Sequence, residues 1–206
     1  QTTIAKEKKE KKKKKGEVAM MTEDTIPAID SNKIDKEGFK PIKELTKKCS
    51  KISGLFNLYQ DSASGKLYIE ITEDKLGKEF IYFAQTVNAV IDAGFLKGGY
   101  LDEKIIKVNR YFDRLDFTIQ NTDYYYDPSN PLSKSKNSNI NQPLFLSEKI
   151  LAKTGKAYLI DADNLFFSEN IMQIKPTPEP IPGVKPFTLG SLNRSKSKYL
   201  SIKNFP

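Results

Sequence analysis

The 206-residue chain contains no histidine, no tryptophan and a single cysteine. Without His there is no Ser-His-Asp or Cys-His nucleophile system, no HExxH zinc helix and no histidine general base. The lone thiol, Cys49, closes no internal disulfide and completes no CxxC metal knuckle. Within "IKELTKKCS" it reads as a small, buried apolar residue on a short helix rather than a reactive group. Long apolar runs are missing too. The longest stretch free of charged residues, 80–91, has 12 residues, short of the roughly 20 that a bilayer-spanning helix needs, so no transmembrane segment is expected. The chain opens on Gln1 and its Lys run leads into no apolar h-region, so a signal already removed, or an excised piece, is the expectation.

What is abundant is lysine. Residues 1–15 hold eight Lys against Glu7 and Glu10, so this short arm carries most of the formal charge of +8. A basic run without interleaved aromatics or Arg reads as a solvated arm rather than a sequence-specific nucleic-acid reader. Weak contact with anionic lipid or polysaccharide stays open. Residues 1–36 as a whole have too few apolar side chains to offset the entropy of ordering them, and a disordered arm and linker is expected there.

From Phe39 the pattern changes. "FKPIKELTKKC" spaces Ile42, Leu45 and Cys49 as a short amphipathic helix, with Pro41 tolerated in the first turn. "GLFNLYQ" and "KLYIEI" flank the turn-forming "DSASG" as a hairpin would, with Leu67, Ile69 and Ile71 on one face of the second strand. "TEDKLG" fits one helical turn closed by Gly77, and "EFIYFAQTVNAVI" is apolar on both faces. Residues 65–87 therefore read as a hairpin feeding an edge-like strand into a central one. "KIIKVNRYF" and "RLDFTIQ" form a further antiparallel pair with a tight connection at Asp113. "LFLSEKILAK" and "KAYLIDADNLFF" turn at Gly155, and a last strand is expected at "YLSIKNF". Five of the eleven prolines fall within 175–187 and keep that stretch extended. The expected fold is mainly β, an antiparallel sheet or sandwich over residues 39–206 with one short entry helix.

Candidate chemistry is sparse. "AGFLKGGY" lacks the Lys-Ser/Thr pair of a P-loop and the GxGxxG spacing, and reads as a conformational loop. Ser133 with Lys136 and Ser195 with Lys198 match SxxK, but chance alone supplies about two such pairs in a chain this rich in Ser and Lys. Asp161, Asp163, Asn164 and Glu169 are oxygen ligands without an EF-hand's fifth and sixth positions, where Leu165 and Phe166 stand. Asp161 and Asp163 read instead as a strand end and turn start. Asp102 and Glu103, adjacent and hence on opposite faces of a strand, read as a solvated turn. The best binding candidate is Tyr124, Tyr125 and Tyr126, whose rings can stack on sugars or peptides, the alternative being that alternate rings pack on the sheet edge.

The ordered series from Gly54 to Tyr59, Lys66 to Ile71, Leu76 to Phe80, Gly94 to Gly99 and Val108 to Leu115 resembles the amino-terminal region of large secreted bacterial zinc-dependent metallopeptidases. That family's pattern is a short helix, a "GLFxVY" strand, a "KxYFEI" strand, a "LLGKDFL" turn, a glycine-rich loop and a "V.F.R..D.L" hairpin. The closing "YLSIKNFP" is similar to its segment ahead of the next domain. The resemblance implies a non-catalytic accessory domain that docks on or positions a catalytic domain absent from this chain, where HExxH and the zinc would reside. It implies no catalytic, cofactor or metal residue here, and an exported protein, periplasmic, at the cell surface or secreted. The expected partner is the catalytic domain of the same polypeptide, with no specific nucleic acid and a monomeric state. The competing reading is a free-standing cell-envelope module that binds glycan or peptide through Tyr124 to Tyr126.

Overall fold

The computed structural model describes residues 34–88, 91, 95–135, 140–169, 171 and 192–206, which belong to one compact unit spanning Asn32–Pro206. The expected disorder of residues 1–33 and the proline-rich stretch 175–187 lie outside the described residues. Ile34 to Lys36 fell within the expected disordered linker, yet the Asp35 carboxylate accepts the N–H groups of Glu37 (3.0 Å) and Phe39 (2.7 Å) and starts the fold.

The entry helix α1 (Ile42–Leu45) is a single turn that buries Ile42. Its end, at Thr46, comes before Cys49, which opens strand β1 (Cys49–Ile52) rather than extending a helix and is half-exposed. β2 (Asn57–Asp61) and β3 (Leu67–Thr72) form the expected hairpin, pairing Leu58 with Ile69 and Tyr59 with Tyr68. Asp61 builds its turn by accepting the N–H groups of Ala63 and Ser64, and Gly65 turns out of it at φ +72°. β3 alternates as its sequence does: Leu67, Ile69 and Ile71 are buried, while Tyr68, Glu70 and Thr72 lie on the wetter face. There Glu70 accepts from Asn57 Nδ2 (2.8 Å) and the Tyr59 hydroxyl (2.7 Å).

The stretch 65–87 is not a hairpin. After the 3₁₀ turn Glu73–Lys75, β4 (Glu79–Gln85) leaves the first sheet and joins a second one. The five-stranded sheet runs β1-β2-β3-β9-β8 and the four-stranded sheet β4-β5-β6-β7. The expected roles are inverted: β3 is interior to its sheet, between β2 and β9, and β4 is the edge. Gly77, at φ +74°, donates its N–H to the Val108 carbonyl (2.8 Å), which ties the crossover to the second sheet.

β5 (Tyr100–Tyr111) and β6 (Arg114–Ile119) pair as expected across a two-residue turn, Phe112 and Asp113. Asp102 and Glu103 lie within β5, opposite Ala84 and Phe83, and not in a solvated turn; Asp102 pairs with Lys104. β7 (Leu144–Lys149), β8 (Ala152–Thr154) and β9 (Ala157–Asp161) complete the sheets, with Gly155 at φ +57° between β8 and β9. A second helix, α2 (Ala162–Phe166), was not expected. The tail 199–205 forms no strand; it is held by the Asn204 side chain, which donates to Ile52 O and Phe56 O, and by Leu55 N–H to Phe205 O.

Both sheets turn their alternating apolar residues into one core: Leu67, Ile69 and Ile71 of β3, Ile160 of β9, Val108 of β5, Leu115 and Phe117 of β6 and Leu146 of β7. Leu115 and Ile160 are fully buried, each a contribution of about 1.5–3 kcal/mol. The mainly β, antiparallel fold is the expected one, and of the two arrangements left open, one sheet or two, the structure has two.

Candidate functional site

The tyrosine loop is built by short polar residues that cap their own backbone. Asn121 Oδ1 accepts the N–H groups of Asp123 and Tyr124, and Asp127 Oδ1 accepts the backbone N–H and the hydroxyl of Ser129. This scaffold separates the three rings. Tyr124 and Tyr125 project into solvent, 63% and 87% exposed, whereas Tyr126 is drawn in and half-buried.

The acidic group at the end of β9 is engaged by protein donors. Asp161 caps α2, accepting from Asp163 N and Asn164 N, and forms ion pairs with Lys66 (3.0 Å) and Arg194 (3.4 Å). Burial disfavours its charged form, but the Lys66 ammonium, the Asn164 N–H and Arg194 outweigh that and hold the carboxyl below its usual range. Asp163 accepts the Leu67 N–H (3.0 Å) and the Tyr199 hydroxyl (2.9 Å), and Asn164 donates to both oxygens of Glu148. Strand end and turn start, the reading preferred from sequence, is what these two aspartates do. Among the described residues no set of Cys, Asp or Glu side chains is arranged to hold a metal ion.

Two other sequence candidates are likewise occupied. In the glycine-rich loop Gly98 N–H donates to Thr86 O and Gly99 N–H to Thr86 Oγ1, so these donors close the loop instead of facing a phosphate. The Cys49 thiol is pushed up from its ordinary value by burial, with Asp61 adding to it, the opposite of thiolate activation.

Two concave features sit side by side along the β2–β3 hairpin and the C-terminal segment. One, of about 440 Å³, is mainly apolar and includes Phe56, Leu58, Phe166 and Ile202 in its walls. The other, of about 420 Å³, is polar and includes Gln60, Asp163, Arg194 and Lys198. They share Phe167 and Tyr199, whose rings lie 4.4 Å apart.

The most unusual surface is the outer side of β4. Gln120 N–H donates to Ile105 O (2.8 Å), so Ile105 turns its backbone groups toward β6 and the facing pair Ile81–Ile105 is not hydrogen-bonded. Glu79, Ile81 and Phe83 therefore point their N–H and C=O groups away from β5, toward an edge that has no strand partner among the described residues. Their side chains share the outer face of the sheet. Ile81 is 82% exposed, Phe83 47%, and Tyr100, whose ring meets Phe83 edge-on at 5.2 Å, 79%. Sequence reasoning missed this surface. The doubly apolar pattern of 80–91 was its signal, but that pattern was assigned to a buried strand.

Against known protein families, a model described as a domain of unknown function (DUF5118) matches residues 39–89, about a quarter of the chain. The matched segment spans α1 and β1 to β4. No curated protein and no solved structure matches the chain.

Proposed function

We propose that this chain works by binding, as a non-catalytic accessory domain that docks on or positions the catalytic domain of a secreted zinc metallopeptidase-like polypeptide. The observation that carries the reading is the outer side of β4: an edge of seven residues without Pro or Lys, with Ile81 and Phe83 exposed and, among the described residues, three residues' backbone groups unclaimed by a strand. Stable proteins blunt such edges unless something covers them. The motif series from Gly54 to Leu115 supports a metallopeptidase polypeptide as the source of the covering domain. On this reading the zinc belongs to that domain, and the chain is exported.

The coding sequence past Pro206 gives the first test. A reading frame that continues into an HExxH segment supports the proposal, and a stop codon at that point overturns it. The second test is amide exchange in the longer polypeptide, where Glu79–Gln85 should be protected beyond the level seen in the isolated chain. Equal exchange in both would remove β4 as the docking side. A free-standing module for glycan or peptide is the second reading, favoured by the exposure of Tyr124 and Tyr125. It predicts that Tyr125→Ala abolishes glycan-array or peptide binding by the isolated chain.

A further inference from the structure

The β5–β6 hairpin tip is strained, rigid and aromatic at once. Phe112 is, among the described residues, the sole non-glycine at positive φ, +50°. In a two-residue hairpin turn with positive φ at its first central position the natural residue is Gly, because a side chain there crowds the backbone. Here a Phe holds that position and is 76% exposed, so its ring contributes little to the core that would compensate the strain. Tyr111, 59% exposed, stands beside it with the rings edge to face at 4.8 Å and 89°. The turn is braced from below: Arg110 Nε donates to Phe112 O (2.9 Å), and Ile150 N–H donates to Asp113 O (2.8 Å). Arg110 itself is held by Glu37 and by the Tyr158 hydroxyl. Strain that persists at a site fixed by its surroundings points to a role for the side chain presented there.

The charges around the rings indicate what that role is. Arg114 and Lys149 face each other across β6 and β7, both exposed, a like-charge pair that disfavours the sheet on its own. Asp113, 3.7 Å from Arg114, is the one carboxylate paired with them among the described residues. None of the cavities among the described residues is lined by Tyr111, Phe112, Arg114 or Lys149. Two aromatic rings, one with a polar end, beside a cation pair that an anionic surface would relieve, match the chemistry of the lipid headgroup region.

We infer that the tip, Tyr111 and Phe112 flanked by Arg114 and Lys149, is a membrane-surface anchor that seats its two rings at the headgroup boundary of an anionic bilayer. The assignment is independent of the docking reading. Tyr100 lies at the other end of β5, 12 residues long, and Ile81 and Phe83 face Ile105 and Glu103, so the β4 surface begins about 20 Å along the strand from Tyr111 at about 3.3 Å per residue, which leaves room for both contacts.

The absence of tryptophan makes the test direct. Phe112→Trp places the chain's single indole at the tip. In the full chain, with vesicles of phosphatidylcholine and phosphatidylglycerol at physiological salt, its emission should shift to the blue and be quenched by brominated acyl chains. Pure phosphatidylcholine should give a smaller effect. Phe112→Gly relieves the backbone, so the melting temperature should hold or rise while vesicle partition falls about tenfold or more, the loss of one inserted aromatic side chain. Reversing the cations with Arg114→Glu and Lys149→Glu should remove the preference for anionic vesicles. An unshifted indole overturns the proposal. So does partition of Phe112→Gly equal to that of the natural chain, since the Lys-rich residues 1–15 would then account for all the binding. Burial of the indole by a protein and not by vesicles would overturn it equally, assigning the tip to a protein partner.

Discussion

Replacing Gly54 by alanine should destabilise the protein by about 2 kcal/mol, even though Gly54 is not among the glycines held at positive φ. The reason lies 150 residues away in sequence. A Cβ on Gly54 would fall onto the Asn204 side-chain amide, far inside van der Waals contact. That amide donates to Ile52 O (2.9 Å) and Phe56 O (2.6 Å) and pins the C-terminal segment over the β1–β2 connection. An alanine at 54 must push the amide away, and two hydrogen bonds at about 1 kcal/mol each go with it. Asn204→Ala removes the same two bonds directly and should lose a similar amount.

The double variant decides whether this account is right. Once Asn204 is truncated the amide atoms onto which the added methyl falls are gone, so Gly54→Ala/Asn204→Ala should be no less stable than either single variant, a coupling of about 2 kcal/mol. Loss of glycine's freedom in the unfolded chain even favours the double variant by a few tenths of a kcal/mol. Urea unfolding followed by circular dichroism measures all four corners of the cycle. Additive losses summing to about 4 kcal/mol, or a neutral Gly54→Ala, would show that the glycine is not there to admit Asn204.

Glu148, 4% exposed on β7, is the clearest pH-linked group. Burial raises its pKa; the Asn164 amide opposes this, Asp161 adds to it and Arg194 opposes it. A carboxyl with a raised folded pKa binds its proton more tightly in the folded state, so its contribution to stability falls as pH rises from the ordinary value of 4.5 through the folded one. Glu148→Gln should therefore be more stable than the natural chain at pH 7, with the difference vanishing below about pH 4.5; a difference that grows on acidification contradicts the assignment. Ile81→Lys should change stability by less than about 0.5 kcal/mol, whereas Leu115→Ala should remove about 2–5 kcal/mol, and thermal unfolding showing the reverse order would place β4 in the core after all. The isolated chain should retain no stoichiometric zinc after dialysis and cleave no fluorogenic peptide mixture, and a chelator should leave its melting temperature unchanged. Retained zinc, or chelator-sensitive cleavage absent from a mock purification, would show an active site that the docking reading lacks.

How far the sequence carries can be followed in β3 and β4. The alternation of Leu67, Ile69 and Ile71 identified both the strand and its buried face, because one wet side leaves a period of two in the residues themselves. Gly65, Gly77 and Gly155 marked their turns for an equally local reason: each needs positive φ. The same logic located α2's beginning without naming the helix, since Asp161 and Asp163 were read as a turn start and Asp161 is its cap. What failed were statements that depend on distant chain. β1 was missed because "CSKI" is four residues with one apolar and one polar residue on each face, and it is a strand through its ladder to β2. β3 was taken as edge-like because its pairing with β9 joins Tyr68 to Asp161, a partner that no local pattern announces. Residues 79–85 were taken as central because apolar side chains occupy both faces, but periodicity reports only that a face is apolar, not that it is covered. Phe80 and Tyr82 do pack inward, against Phe56 and Phe145. Ile81 and Phe83 have no such cover among the described residues, and the error in the sequence reading is itself informative. An edge strand written in the residues of a central one is what a sheet needs if another chain segment is to complete it, which is why β4 carries the functional proposal while the tyrosine loop, legible from the start, supports only its alternative.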